Sequence, residues 1–260
     1  MTDERWNIVS GKVPVVAAAI HNGHDVRNEV GSLLAIDEAQ RLREEDPFTN
    51  LFTGFTDNRI VVNASRFEAD MNRPRDKAVY ILPEDAWGLN VWKARPSPEF
   101  VKRSLSVYDS FYKDVFEYLR GVQKEFGKII VLDIHSYNHM RSGPGGLPSD
   151  PDKFPDINIG TGSLDRSRWG GLVDRFMDDL SSYNFMGAAL SVKENLVFQG
   201  GYFSRWVHEK FPGKSCVIAV EFKKFFMDEW TGAADEDKIR EIKSILGDCL
   251  KGILEETEKV

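Results

Sequence analysis

KIIVLDIHS, Lys128 to Ser136, decides how the chain is read. Its first residues are apolar at consecutive positions, so both faces of the strand they form must be covered. Immediately upstream, Pro98 to Phe126 has helical periodicity, with aromatics at Phe111, Tyr112, Phe116 and Tyr118. Similar short runs lie at Val13 to Ile20, Ile60 to Asn63, Phe185 to Ser191 and Cys216 to Phe222, with further helical patterns at Arg166 to Ser181 and Asp235 to Lys259. Strand and helix alternate, which predicts an α/β fold: a three-layer α/β/α sandwich around a mostly parallel or mixed open sheet. No repeat, linker or composition break divides residues 1–260, so a single domain is expected.

Hydrophobic residues make up 42% of the chain and charged residues 29%, as in ordinary globular proteins rather than disordered ones. A net charge of −7 argues against a basic surface for nucleic acid or anionic lipid, leaving a small molecule as the expected partner. MTDERWNIVSGK lacks the features of a signal peptide and no run is long enough to span a membrane, so a cytoplasmic protein is expected. The two cysteines, Cys216 and Cys249, form no C-x-x-C pair and read as buried reduced thiols. ENLVFQG, Glu194 to Gly200, is close to an engineered protease site, but it runs without a break into GGYFSRW and reads as native sequence.

In open α/β sheets the site lies beyond the carboxyl ends of the strands, where the chemically capable residues fall here. The first run leads into IHNGHD, with His21 and His24; Asp133 and His135 end the third, and Glu221 ends the last. Catalytic zinc takes three protein ligands and water, often a near pair joined by a distant third. His21, His24 and His135 fit that pattern around a Zn²⁺ ion, with Asp133 placed to hold a ring by hydrogen bonding. The alternative is that each is an ordinary polar residue at a strand end. His139 competes as a ligand, and His208 reads as structural within a helix. Glu221 closes an apolar strand, where burial would raise its pKa and suit it to move protons; pairing with Lys223 or Lys224 is the alternative. A serine triad of Ser136, His135 and Asp133 is disfavoured, because neighbouring strand residues point to opposite faces and no G-x-S-x-G elbow is present.

SRFEADMNRPRD, Ser65 to Asp76, gathers Arg66, Asn72, Arg73 and Arg75 after a strand. Arginine suits bidentate carboxylate recognition, and Pro74 biases Arg73 toward an extended backbone, although a surface charge cluster is the simpler reading. The polar segment Arg141 to Ser163 reads as a long loop placed over the site as a lid or wall.

IHNGH, SRFEADMNRP, VLDIHS and VEFKKFFMDEWTG together resemble the N-formylglutamate amidohydrolase family, related to zinc carboxypeptidases and aspartoacylase, over roughly Val13 to Gly232. The resemblance implies a zinc-carboxypeptidase-like fold and a zinc-dependent hydrolase cleaving the amide of an N-acyl acidic amino acid such as N-formylglutamate. It matches His21 and His135 to metal ligands, Asn72 and Arg73 to a substrate-carboxylate motif, and Glu221 to a catalytic glutamate. Arg66 is similar to a substrate or oxyanion arginine, and Gly200 and Gly201 belong to a segment that resembles a loop near the site. The relatives carry a glutamate where His24 stands, and Pro-His-Ser-Gly where this chain has Ile-His-Asn-Gly. A carboxypeptidase-like peptidase and a non-catalytic carboxylate-binding protein are the alternative readings.

Overall fold

The computed structural model describes residues 5–140, 142–147 and 149–260. Nine strands are present among them: β1 (Trp6–Val9), β2 (Val15–Ala19), β3 (Arg59–Val62), β4 (Ile129–Tyr137), β5 (Ile157–Gly160), β6 (Asn184–Phe185), β7 (Ala188–Ala189), β8 (Val192–Glu194) and β9 (Ser215–Lys223). The helices are α1 (Asn28–Leu33), α2 (Glu38–Glu44), α3 (Thr49–Phe52), α4 (Pro98–Phe126), α5 (Arg166–Ser182), α6 (Tyr202–Lys210) and α7 (Glu236–Lys259). Seven strands form one sheet in the order β1-β3-β2-β4-β9-β5-β8. The central strands β3, β2, β4 and β9 are parallel, while β1 at one edge and β5 and β8 at the other run against them.

Both faces of the sheet are covered, as the unbroken apolar runs require. Ile130, Leu132 and Ile134 of β4 and Cys216, Ile218, Val220 and Phe222 of β9 pack into one core with α3, α5 and α7. Ile129, Val131 and Val217 face the opposite core with α4 and α6. The period of two along a strand therefore puts Asp133, His135 and Glu221 on the α4/α6 face, at the carboxyl ends of adjacent strands. Parallel register sets His135 directly opposite Glu221.

The long helix α4 is fixed at both ends. The Ser97 hydroxyl accepts from the Phe100 amide, Pro98 occupies the first turn, and Gly127 closes the helix at φ 77°. Its buried stripe seats two tyrosines against the segment after β3: Tyr108 donates to the Arg73 carbonyl (2.8 Å) and Tyr112 to that of Met71 (2.6 Å).

Two expectations need correction. Phe185 to Ser191 is no core strand: it forms the hairpin β6–β7, turning through Met186 and Gly187 at positive φ, and only Phe185 is buried. Arg141 to Ser163 is not loop throughout, because INIG forms the fully buried β5 beside β9. Apolar residues at Ile157 and Ile159 gave an alternating signal too short to outweigh the surrounding glycines and prolines.

Candidate active site

A cleft of about 440 Å³ opens at the carboxyl ends of β2, β4 and β9, lined by His21, Asp46, His135 and Glu221 among others. His21 follows β2 in a tight turn. Gly23 is needed there, because a Cβ would lie 2.2 Å from the Asn63 carbonyl carbon. Asp46 sits just beyond the capping residue of α2; its amide donates to the His21 carbonyl (3.0 Å), which ties the two segments together.

His21, Asp46 and His135, all buried, present one donor atom each within 4.8 Å of one another. His135 Nδ1 is 3.0 Å and His21 Nδ1 3.5 Å from the same oxygen of Asp46. Zinc bonds of 2.0–2.1 Å in tetrahedral geometry separate ligand atoms by about 3.3 Å, so two imidazoles and a carboxylate fit such an ion with room for water. The far ring nitrogens also face carboxylates: His21 Nε2 is hydrogen-bonded to Asp70 at 2.6 Å, whereas His135 Nε2 lies 3.1 Å from Asp133 Oδ1 without a hydrogen bond. Holding the proton of His21 on Nε2 leaves its Nδ1 lone pair for a metal. Asp70 is itself braced by Arg66 Nη2 (2.9 Å) and the Tyr80 hydroxyl.

The electrostatics agree with a cation site. Burial opposes charge on His135, yet Asp133, Glu221 and Asp46 together raise its pKa well above the ordinary histidine value. Burial likewise opposes ionisation of Asp46 and Asp70, but hydrogen bonds from His135 and His21 hold Asp46 far below the carboxylate range, and Arg66 does the same for Asp70. A pocket this rich in buried anionic oxygen favours positive charge.

Glu221 differs from these carboxylates. Burial pushes it up to about 7 against the opposing charge of His135, and among the described residues no side-chain hydrogen bond contributes. The lysine pairing is not made: Lys223 lies 2.7 Å from Asp156, and Lys224 donates to the Arg43 and Glu45 carbonyls. Its carboxyl is thus available to the cleft.

The sequence-derived set is brought together only in part. His24 stands apart from the cluster, where Asp46 takes the position expected of it. Its Nδ1 faces Glu45, and its Nε2 lies 3.0 Å from Arg41 Nη2. A guanidinium can only donate, so Nε2 must accept and the proton must sit on Nδ1 toward Glu45; both nitrogens are consumed. Asn72 lines the cleft, 3.5 Å from His135 Nε2, and its side-chain oxygen accepts from the Phe203 amide at the start of α6. Gly201 makes that approach possible, since a Cβ there would lie 2.0 Å from Asn72 Oδ1. Gly200, at φ 96°, packs near Gly160 and Ser204; neither glycine lines the cleft. Arg66 lines it and lies 4.8 Å from the ring centre of Trp87. Arg73 does not: its guanidinium packs over Tyr80, 3.6 Å from Asp70.

His139 is occupied with Glu229, away from the cluster, and His208 accepts from the Val217 amide (2.9 Å) as a structural residue. Among the described residues the buried Ser136 hydroxyl has no hydrogen-bond partner, so they form no serine triad with it. Of the long loop, Arg141 and Pro148 lie outside the described residues, and none of the others lines this cleft. Phe198, from ENLVFQG, does line it, and its carbonyl accepts from Asn158 (2.8 Å), so that segment is built into the fold.

Sequence reading missed Asp46, Asp70 in its supporting role, and the cleft residues Arg43, Trp87 and Lys224. For Asp46 the only local signal is three acids before a proline, EEDP, 25 residues beyond His21 and with no ligand spacing to it.

A sequence model of the family described as N-formylglutamate amidohydrolase matches residues 13–224, most of the chain. The chain belongs to the N-formylglutamate amidohydrolase family. That family is one of hydrolases, and the fold agrees with the assignment. The N-formylglutamate amidohydrolase from Ralstonia eutropha superposes with a TM-score of 0.74 at 15% identity, over 98% of this chain and 99% of its own. A gene product from Agrobacterium tumefaciens gives 0.69 at 17% identity, over 97% and 96%. A metallo-carboxypeptidase from Burkholderia cenocepacia is more distant, at 0.36 and 13%, over 93% and 56%. No curated protein matches the sequence well enough to count as a relative.

Proposed function

We propose that this member of the N-formylglutamate amidohydrolase family is a zinc-dependent hydrolase that cleaves the amide of an N-acyl, preferentially N-formyl, acidic amino acid such as N-formylglutamate. The observation that carries the reading is the convergence of His21 and His135 Nδ1 on Asp46, with the unpaired, proton-poised Glu221 opening onto the same cleft. His21, Asp46 and His135 would hold the ion. Bound zinc polarises an acyl carbonyl and acidifies water.

Glu221 takes the proton of the attacking water on its carboxylate and returns it to the departing amide nitrogen. A carboxyl near neutrality can do both, because neither transfer is far uphill. Arg66, braced by Asp70 and facing the cleft, adds positive charge where the oxyanion develops. Asn72 orients the substrate beside His135. Arg43 and Arg66 are the guanidinium groups lining the cleft for a substrate carboxylate, while Arg73 is held outside it over Tyr80. Asp70 holds the His21 imidazole in the ligating tautomer, and the Asp133 carboxylate beside His135 favours positive charge there.

The buried free thiols of Cys216 and Cys249 are in keeping with a cytoplasmic location. Among the described residues no helix is long and apolar enough to cross a membrane. Formate release from N-formylglutamate, measured before and after chelation and after zinc is restored, tests the proposal. Activity lost on chelation and recovered with zinc is the expected result. Turnover of peptides but not of N-acyl amino acids would favour the peptidase reading, and bound zinc without turnover the binding-protein reading.

A further inference from the structure

The family assignment leaves His24 without a role, although it is half of the H-x-x-H pattern. Its surroundings give it one. Glu45, immediately before Asp46, has a fully buried carboxylate whose two oxygens accept from different segments: one from the Ser65 hydroxyl, the other from His24 Nδ1. Arg41 closes the circuit, donating to the His24 carbonyl (2.8 Å) and to its Nε2 (3.0 Å), and lying 3.6 Å from Glu45. On the other side, buried Lys224 donates to the Arg43 and Glu45 carbonyls at 2.6 and 2.7 Å. The peptide carrying Asp46 is thus fastened to the turn after β2, to the segment after β3 and to the end of β9. These are the segments that supply His21, Asp70 and Glu221.

We propose that Glu45, with His24, Arg41, Ser65 and Lys224, is a positioning clamp that aims the Asp46 carboxylate at the two histidines. The inference rests on the reading of Asp46 as a metal ligand. Alone among the strong anchors, His24 is accessible, with 37% of its side chain exposed, so it can be altered at little cost to the core. Residues that orient a ligand change metal affinity by about 10- to 100-fold when removed. A residue that only stabilises the fold would instead lower the melting temperature of the metal-free protein and leave affinity alone.

The test compares the parent with His24→Ala, His24→Asn and Glu45→Gln, measuring zinc dissociation constants by chelator competition and melting temperatures without metal. Asp235→Ala, which removes the cap of α7, is the destabilised control. His24→Ala is expected to bind zinc about 10- to 100-fold more weakly. His24→Asn, which keeps a donor toward Glu45, should recover much of the loss, and the control should melt earlier with unchanged affinity. Zinc constants within twofold of the parent in His24→Ala and in any folded Glu45→Gln would overturn the clamp. Side-chain nitrogen NMR of the metal-free protein reads the same geometry without the ion, through the His135 Nδ1 hydrogen bond to Asp46. If the parent binds no zinc, the proposed function fails, while an unaltered His135 signal in His24→Ala separately refutes the clamp.

Discussion

Replacing Glu221 with glutamine should inactivate the enzyme and, in the metal-free protein, stabilise it. Burial holds this carboxyl at about 7 against an ordinary value of 4.5. The native state therefore prefers the proton that the unfolded chain releases. Below pH about 4.5 both states are protonated and nothing is lost; as pH rises toward 7 the unfolded state alone ionises, and stability falls. The interval corresponds to at most about 3.4 kcal/mol at 1.36 kcal/mol per pKa unit. Because the residue keeps 9% exposure on the cleft, about 2 kcal/mol is the working figure. Glutamine has nearly the same shape and no charge to desolvate, so it escapes this loss. For a chain of this size, about 2 kcal/mol raises the melting temperature by roughly 4–8 °C. Calorimetry in a chelating buffer should show that gain at pH 8 and its disappearance near pH 4.5, while turnover falls by about 10²- to 10⁴-fold. A variant less stable than the parent at pH 8, or an unchanged gain at pH 4.5, would refute the picture of a buried, unpaired carboxyl.

Asp46→Asn removes the anionic donor and should cost more than about 100-fold in zinc affinity, beyond the usual effect of a supporting residue; elemental analysis after dialysis checks it, and full zinc retention would remove Asp46 from the ligand set. Arg66→Ala should raise KM for N-formylglutamate more than Arg73→Ala does, since only Arg66 lines the cleft; the reverse order in steady-state kinetics would restore Arg73 as the principal carboxylate contact. Gly201→Ala drives a Cβ into the Asn72 amide, and thermal melting should fall by several degrees for about 1–3 kcal/mol of overpacking. Burial lowers His208 from 6.5 to about 4, so its contribution is present above pH 6.5 and lost as pH falls through 4. His208→Leu should flatten that part of the acid limb in pH-dependent unfolding; an unchanged limb would show that His208 is not its source.

Much of the architecture and two of the three candidate metal ligands, His21 and His135, are legible in the sequence. Unbroken apolar runs can be satisfied only by a sheet covered on both faces, and three long helices declare themselves by periodicity, with Ser97 and Gly127 marking the ends of α4. The same runs place His21, His135 and Glu221 at strand ends, because a strand's period of two is a local property. Asp46 is different. Nothing within EEDP distinguishes a ligand from two neighbouring acids; that is decided by the fastening of its peptide to the His21 carbonyl, to Lys224 and, through Glu45, to Ser65 and His24. His24 and Arg73 show the converse. Each has the right chemistry at a plausible spacing, yet Arg41 and Glu45 consume both nitrogens of one, and Tyr80 and Asp70 draw the other aside. Local sequence determines which side chains stand near the mouth of the sheet. Which of them are free to face a metal depends on contacts between segments far apart in the chain, and those exist only once the tertiary structure has formed.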